Sequence, residues 1–162
     1  MSELLAAKRL TKDYSKLMKD PVEHCWVAPN DNDILTWHVM FELQDAPFKG
    51  CQVLCILTFP KNYPMKAPDI KVLTPTGRFE TDRTICMTNT GYHNECWSPL
   101  WSLSSLIVGF ISSFYEPQVG LGHLSEPAQV CQKHAVNSKH FNATHYPDIV
   151  SNLISRGNGN GL

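Results

Sequence analysis

Four strand-like patterns follow one another between residues 23 and 74, and they constrain the fold more than any other feature of the sequence. We predict strands at residues 23–28, 37–43, 51–59 and 70–74. In the second, apolar and polar residues alternate, as in a strand with one face on a core. The third is nearly all apolar, as in a strand covered on both faces. The links between them are short, which favours an antiparallel meander.

Helical patterns flank these strands in the sequence. Residues 2–19 carry one apolar face, and Pro21 ends that helix. Ser102 can cap a second helix that runs to about residue 115, and its wide apolar stripe suits the core helix under the sheet. Further helices are predicted at about 126–138 and 147–154. Because strands and helices are segregated, we predict one α+β domain over residues 1–155, followed by a disordered tail at 156–162.

Composition and charge exclude several classes of protein. The 162 residues are 43% hydrophobic and 18% charged, which argues against global disorder. The formal net charge of −1 argues against a broad nucleic-acid-binding surface. No apolar run reaches the roughly 20 residues that a membrane span needs, and the N-terminus carries no signal-peptide pattern. We therefore expect a cytoplasmic protein without a membrane segment.

Six cysteines are present, and their spacing matches neither a disulfide framework nor a paired zinc motif. Cys51 and Cys55 fall in the third predicted strand, where we expect reduced core residues. Cys86, His93 and Cys96 could supply three metal ligands, but the sequence offers no fitting fourth. We therefore expect no metal and no cofactor.

The polar stretch from Thr74 to Trp101 differs from everything around it. It is too polar for a strand or a core helix, so we interpret it as a long ordered coil around the apolar triplet Ile85-Cys86-Met87. Long irregular segments inside compact domains are uncommon and often functional. Our hypothesis is that Cys86 is a nucleophile positioned by the surrounding chain. An inert buried cysteine is the alternative, and the pattern alone does not decide between them.

Three motifs, in this order and spacing, resemble those of ubiquitin-conjugating enzymes: Phe59-Pro-x-x-Tyr-Pro-x-x-x-Pro68, Ile85-Cys86 and Trp97-Ser98-Pro99. The resemblance covers about residues 5–155. It implies the ubiquitin-conjugating fold, with an N-terminal helix, a four-stranded antiparallel meander, a core helix and C-terminal helices. It also implies that Cys86 accepts ubiquitin as a thioester from the activating enzyme, which uses ATP, and passes it to a substrate, usually with a ubiquitin ligase.

The stretch around Cys86 departs from the common family pattern. Thr76, Gly77 and Arg78 stand where the common family has His-Pro-Asn. Cys86 and Trp97 are eleven positions apart, whereas the common family has a shorter segment there. These departures resemble the divergent J-type branch of endoplasmic-reticulum-associated degradation. Members of that branch are typically tail-anchored, so we expect either a soluble relative or a chain shortened before an anchor, which would place it on the cytosolic face of the endoplasmic reticulum.

The resemblance leaves the chemistry around the thioester open. Aminolysis passes through an oxyanion, and without the family asparagine its donor could be Thr76, Asn89 or a backbone N–H. A histidine seven positions after the cysteine is another feature of the J-type branch. In this position His93 could act as a general base toward a serine or threonine hydroxyl, an acceptor attributed to that branch. Alternatively, His93 only hydrogen-bonds the inserted loop.

The resemblance also implies where protein partners dock. Ligase docking is expected on two loops, formed by Pro64 and Met65 and by Ser98, Pro99 and Leu100. The activating enzyme is expected to bind a basic stripe of the first helix, formed by Lys8, Arg9 and Lys12. The alternative is that this stripe is only a solvated face. The pattern does not decide whether Met65 points outward or packs inward. Trp26 stands where many members have a small residue, which argues against ubiquitin binding on the back face of the sheet.

Other functions compete with this interpretation. A catalytically silent variant would bind ubiquitin and partners, but such variants generally lack the cysteine. A conjugating enzyme for another ubiquitin-like modifier is compatible with every motif. A cysteine hydrolase would need a positioned histidine and an orienting acid, which the spacing does not show. The expected partners are ubiquitin, its activating enzyme, a ubiquitin ligase and protein substrates, with no nucleic acid.

Overall fold

The computed structural model describes residues 2–87, 97–116 and 122–156. The elements are α1 (Ser2–Lys19), β1 (Cys25–Asn30), β2 (Asp33–Glu42), β3 (Gln52–Thr58), β4 (Asp69–Val72), β5 (Thr84–Cys86), α2 (Leu103–Ser112), α3 (Ala128–His145) and α4 (Pro147–Arg156). Each strand pairs antiparallel with the next, in the order β1-β2-β3-β4-β5. The predicted α+β architecture and the antiparallel meander are therefore confirmed.

The sheet has a fifth strand that we did not predict. Residues Thr84–Cys86 form β5 and pair with Asp69–Lys71 at the edge of β4. The interpretation of the whole stretch as coil is therefore wrong at this point. Three residues are too few to show a periodic pattern. This strand is defined by its hydrogen bonds to β4 rather than by a signal of its own.

Helix α3 is longer than predicted, because it continues to His145 and not only to residue 138. It follows Pro127, and no side chain caps its start. Two of its four buried residues are polar, which weakens the apolar periodicity that helix prediction uses. Helix α4 runs to Arg156, and most of the predicted disordered tail, residues 157–162, lies outside the described residues.

The two faces of the sheet are both covered. Alternate residues of β2, including Trp37 and Phe41, face the main core, where α2 packs as predicted. The opposite face carries a second apolar cluster that contains Trp26, Met40 and Leu54. Leu153 of α4 is fully buried in this cluster, so the C-terminal helix covers the back face of the sheet. Trp26 thus packs in the cluster under the C-terminal helix, and the expectation that ubiquitin does not bind this face stays a prediction.

A buried polar network fastens α3 to the sheet. Asn142 donates from Nδ2 to the backbone oxygen and to Oε1 of Gln52, at 2.9 and 3.0 Å. Its Oδ1 accepts from the hydroxyl of Thr74 at 2.6 Å, and Thr74 accepts from the N–H of Leu54 at 2.8 Å. Ser138 accepts from the N–H of Gln52 at 2.8 Å. The network therefore joins α3 to β3 and to the segment that leads toward Cys86.

Candidate active site

Cys86 is the last residue of the edge strand β5, and its backbone is held on both sides. Ile85 and Met87 are buried, whereas Cys86 between them is partly exposed. The N–H of Met87 donates to the carbonyl of Pro68 at 3.0 Å. Because neighbouring side chains of a strand point to opposite faces, burial of the two flanking residues turns the Cys86 thiol away from the core. An accessible thiol on a fixed backbone is the geometry that a nucleophile requires.

The other described cysteines are unsuited to the same chemistry. Cys25, Cys51, Cys55 and Cys131 are buried, and none of the described cysteines forms a disulfide. Burial raises the pKa of Cys25 and of Cys51 to about 12, and it raises that of Cys55 well above the ordinary value. These thiols stay protonated near neutral pH. Among the described cysteines, exposure therefore singles out Cys86.

Thr76, one of the three predicted oxyanion donors, is built into a buried turn. Its side chain is fully buried, and its Oγ1 accepts the N–H of Arg78 at 3.1 Å. The next residue, Gly77, has a φ of 87°, and a Cβ there would lie 2.7 Å from Sγ of Cys131. Only glycine fits both conditions. The hydroxyl of Thr76 thus shapes this turn, which favours a structural role over oxyanion donation.

Arg78 is a buried arginine that connects three parts of the chain. Its guanidinium donates to the carbonyls of Ser113 at 3.1 and 3.2 Å and of Glu116 at 2.6 Å, and more weakly to that of Leu124 at 3.5 Å. Burial lowers its pKa. The other nearby cation, Arg83, pairs with Glu80 at 2.7 Å. Both arginines that are close to Cys86 in sequence therefore make contacts within the fold.

The segment from Gly122 to Glu126 lies antiparallel beside residues 77–80. The N–H of Glu80 donates to Gly122, and the N–H of Leu124 donates to Arg78, at 2.8 and 2.7 Å. Gly122 has a φ of 81°, and a Cβ there would lie 2.8 Å from Cδ1 of Ile85. The segment thus packs directly against the residue that precedes Cys86, and only glycine allows the approach.

Two residues with predicted chemical roles, Asn89 and His93, lie outside the described residues. The same holds for Cys96, the third residue of the metal alternative. The roles of Asn89 as an oxyanion donor and of His93 as a base stay predictions.

The two loops predicted to bind a ligase lie together and present apolar side chains. Met65 is 67% exposed and Leu100 is 91% exposed. The indole N–H of Trp97 donates to the carbonyl of Pro64 at 2.9 Å, which ties one loop to the other. Met65 therefore points outward, and the two exposed residues belong to neighbouring, mutually supported loops.

The basic stripe of α1 divides into two kinds of side chain. Lys8 and Lys12 are exposed, as a docking surface requires. Arg9 is only 22% exposed, and its guanidinium bonds Asp13 and the backbone of residues 99 and 101. Arg9 thus differs from the two lysines in its contacts, and its part in docking the activating enzyme stays a prediction. Its spacing from Asp13, four positions along a helix, was the available signal for an internal ion pair.

A model of the family described as ubiquitin-conjugating enzyme matches residues 9–145. This range contains every described strand, helices α2 and α3, and Cys86. The chain belongs to the ubiquitin-conjugating enzyme family. Relatives of the chain are named as ubiquitin-conjugating enzymes, so the chain is assigned to a family of transferases.

Curated relatives support the same assignment. The chain is 38% identical over 143 residues to the probable ubiquitin-conjugating enzyme E2 33 of Arabidopsis thaliana, covering 88% of the chain and 59% of the relative. It is 34% identical over 146 residues to ubiquitin-conjugating enzyme E2 6 of Schizosaccharomyces pombe, covering 90% and 64%. It is 37% identical over 117 residues to a ubiquitin-conjugating enzyme named E2 J2-like in Dictyostelium discoideum, covering 72% and 69%. The chain thus spans about three fifths of the first two relatives.

Among solved structures, human ubiquitin-conjugating enzyme E2 G1 matches with a TM-score of 0.58 and 25% identity. The match covers 69% of this chain and 96% of the human one. The ubiquitin-conjugating fold implied by the motifs is therefore confirmed, with five strands instead of the predicted four.

Among the described residues, no helix combines the length and apolarity that a bilayer crossing demands.

Proposed function

We propose that this chain accepts ubiquitin as a thioester on Cys86 and transfers it to a lysine amine of a protein substrate in protein degradation. The observation that carries the proposal is the exposure of Cys86. It is the partly exposed residue at the end of an edge strand, between two buried neighbours, whereas the other described cysteines are buried. Membership in the family supplies the reaction class.

The reaction exchanges one thioester for another and then breaks it. The Cys86 thiolate attacks the carbonyl carbon of the ubiquitin C-terminus, which is held as a thioester by the activating enzyme, and the activating enzyme's thiolate leaves. A substrate amine next attacks the carbonyl of the new thioester. The tetrahedral intermediate collapses, the Cys86 thiolate leaves, and the amine loses a proton to form an amide. Oxyanion donors stabilise that intermediate, and Asn89 or a backbone N–H is proposed for this role ahead of Thr76.

A serine or threonine hydroxyl is the alternative acceptor, and it depends on His93. A hydroxyl is a poor nucleophile at neutral pH unless a base removes its proton, and an unperturbed histidine has a pKa suited to that task. The resemblance to the J-type branch, to which this acceptor is attributed, supports it and the proposed role in degradation, and one relative is named E2 J2-like.

Two surfaces are proposed for the protein partners. Met65 and Leu100 give the paired loops an exposed apolar pair, which suits a ligase. The exposed lysines Lys8 and Lys12 on α1 suit an acidic surface of the activating enzyme, because complementary charge speeds encounter.

A charging assay tests the proposal. The purified chain is incubated with the activating enzyme, ATP and ubiquitin, and the products are separated on reducing and non-reducing gels. We expect an adduct that reducing agent removes, which is absent from Cys86→Ala and present in the buried-cysteine control Cys131→Ala. An adduct that forms only with another ubiquitin-like modifier and its own activating enzyme would reassign the modifier. No adduct with any modifier would overturn the proposal.

A further inference from the structure

Arg9 lies on the inner side of the exposed loop that carries Leu100, and its guanidinium hydrogen-bonds the backbone of that loop. Nη1 of Arg9 donates to the carbonyl of Pro99 at 2.7 Å, and Nη2 donates to the carbonyl of Trp101 at 2.8 Å. The two accepting carbonyls belong to the residues on either side of Leu100. The guanidinium therefore holds the backbone on both flanks of Leu100, a large apolar residue that is 91% exposed.

Two further hydrogen bonds lie within the turn itself. The N–H of Leu100 donates to Oγ of Ser98 at 3.2 Å, and the N–H of Trp101 donates to the carbonyl of Ser98 at 3.1 Å. Both bonds are local to the turn. The contacts with Arg9 span about 90 residues of sequence and connect the turn to α1. Together with the bond from Trp97 to Pro64 and the packing of Trp97 and Trp101 against the core, they position the turn relative to the body of the domain.

The surroundings of Arg9 hold its guanidinium in one orientation. Nε donates to Asp13 at 2.9 Å, and Asp13 is itself buried. The guanidinium carbon lies 5.7 Å from the ring centroid of Tyr63, in a cation–π contact. Three donors thus have fixed partners in a planar arrangement that a lysine ammonium cannot reproduce.

We propose that Arg9 is a positioning residue for ligase docking, and that it acts by holding the turn that presents Leu100. This inference rests on the proposed function, since it assumes that the Leu100 loop receives a ligase. It assigns different roles to adjacent residues of one helix. Lys8 and Lys12 face outward and serve the activating enzyme, whereas Arg9 faces inward and serves the ligase loop.

Preorganisation gives the expected direction of the effect. A loop that is already held in its bound conformation loses less conformational freedom on binding, so its partner binds more tightly. Arg9→Lys keeps the positive charge but loses the paired hydrogen bonds to the two loop carbonyls. We expect it to raise the ligase concentration for half-maximal stimulation by about tenfold, while the discharge rate at saturating ligase changes less.

The first measurement needs no ligase. Backbone amide exchange is followed by NMR in the wild type, in Arg9→Lys and in the control Thr11→Ala, which alters an exposed residue of the same helix whose hydroxyl bonds only Ala7. We expect the Trp101 amide to exchange several-fold faster in Arg9→Lys and to be unchanged in the control. Unchanged exchange in both variants would overturn the inference, because the turn would then be held without Arg9.

The second measurement uses the charged protein. The probe is a ligase domain selected beforehand from a panel because it accelerates discharge of the charged wild type onto free lysine. Its titration curve is compared among wild type, Arg9→Lys, Leu100→Ala and the double variant. If Arg9 acts through Leu100, its effect shrinks in the Leu100→Ala background. Equal effects in both backgrounds, or a titration of Arg9→Lys that matches Thr11→Ala, would overturn the inference.

The assays distinguish failure of the proposed function from failure of the role of Arg9. If the wild type forms no thiol-sensitive adduct, the proposed function fails whatever Arg9 does. If the wild type charges and responds to the ligase, but Arg9→Lys responds equally well, the proposed function stands and the role of Arg9 fails.

Discussion

Replacement of Asn142 by leucine removes the centre of the buried polar network and keeps a side chain of four heavy atoms branched at Cγ. The change leaves three polar groups without the partner that Asn142 provides. These are the hydroxyl hydrogen of Thr74, the backbone oxygen of Gln52 and its Oε1. Thr74 and Gln52 are both buried, so water does not replace the lost bonds without rearrangement.

The expected loss of stability follows from the number of polar groups that are left without a hydrogen-bond partner. A buried group that loses its hydrogen-bond partner typically costs about 1–3 kcal/mol. At the lower end of that range, three groups give a loss of about 3 kcal/mol in the free energy of unfolding. A typical domain has only about 5–15 kcal/mol in total, so the loss is large enough to measure with confidence.

Urea unfolding at neutral pH measures this loss in the wild type, in Asn142→Leu and in Asn137→Leu. Asn137 lies on the same helix and is exposed, so its replacement controls for helix propensity and is expected to stay within about 0.5 kcal/mol of wild type. A loss below about 1 kcal/mol in Asn142→Leu, with an unchanged dependence on urea, would refute the reasoning. The network would then contribute little beyond what the apolar packing of α3 provides.

Three further predictions concern chemistry and pH. His93→Ala should abolish discharge of the charged chain onto free serine and threonine while discharge onto free lysine persists; intact hydroxyl discharge would remove the base role. Asn89→Ala should slow discharge more than loading, and equal effects on both steps would remove the oxyanion role. Burial raises the pKa of the Asp13 carboxyl despite the opposing attraction of Arg9. Its folded-state pKa thus exceeds the unfolded value, and the stability it contributes at low pH is lost as pH rises through the folded pKa. The unfolding free energy of Asp13→Asn relative to wild type should therefore increase from pH 3 to pH 7, and a decrease would mean that the ion pair outweighs burial.

The elements that the sequence predicts are those with a long or clean periodicity. The apolar face of the helix Ser2–Lys19 arises from the residues of that helix alone, and the alternation in β2 arises from that strand alone. Both patterns are therefore visible in the sequence. Strand β5 has only three residues, and its pairing partner lies in β4. The second half of α3 buries Ser138 and Asn142, which bond to the sheet instead of contributing apolar spacing. Local patterns do not report contacts of this kind.

The candidate site divides in the same way. Cys86 was identified from its motif and neighbours, because a cysteine in an apolar triplet within polar chain is visible in one window of sequence. Arg9 also bonds the loop around Leu100, about 90 residues away, and no local pattern reports those contacts. The spacing from Asp13 indicates an ion pair, but the basic stripe gives no sign that Arg9 also bonds the loop. Only the three-dimensional arrangement separates it from Lys8 and Lys12.

Replacement of Cys86 by serine tests the central claim most directly, because it changes one atom and keeps the acceptor in place. If Cys86 carries ubiquitin through its side-chain sulfur, charging of Cys86→Ser should yield an oxygen ester. That adduct should survive reducing agent and be cleaved by mild alkali, whereas the wild-type adduct is lost in reducing agent. Intact and peptide mass spectrometry should place both adducts on residue 86. A thiol-sensitive adduct that persists in Cys86→Ser, or one that maps to another cysteine, would contradict the account.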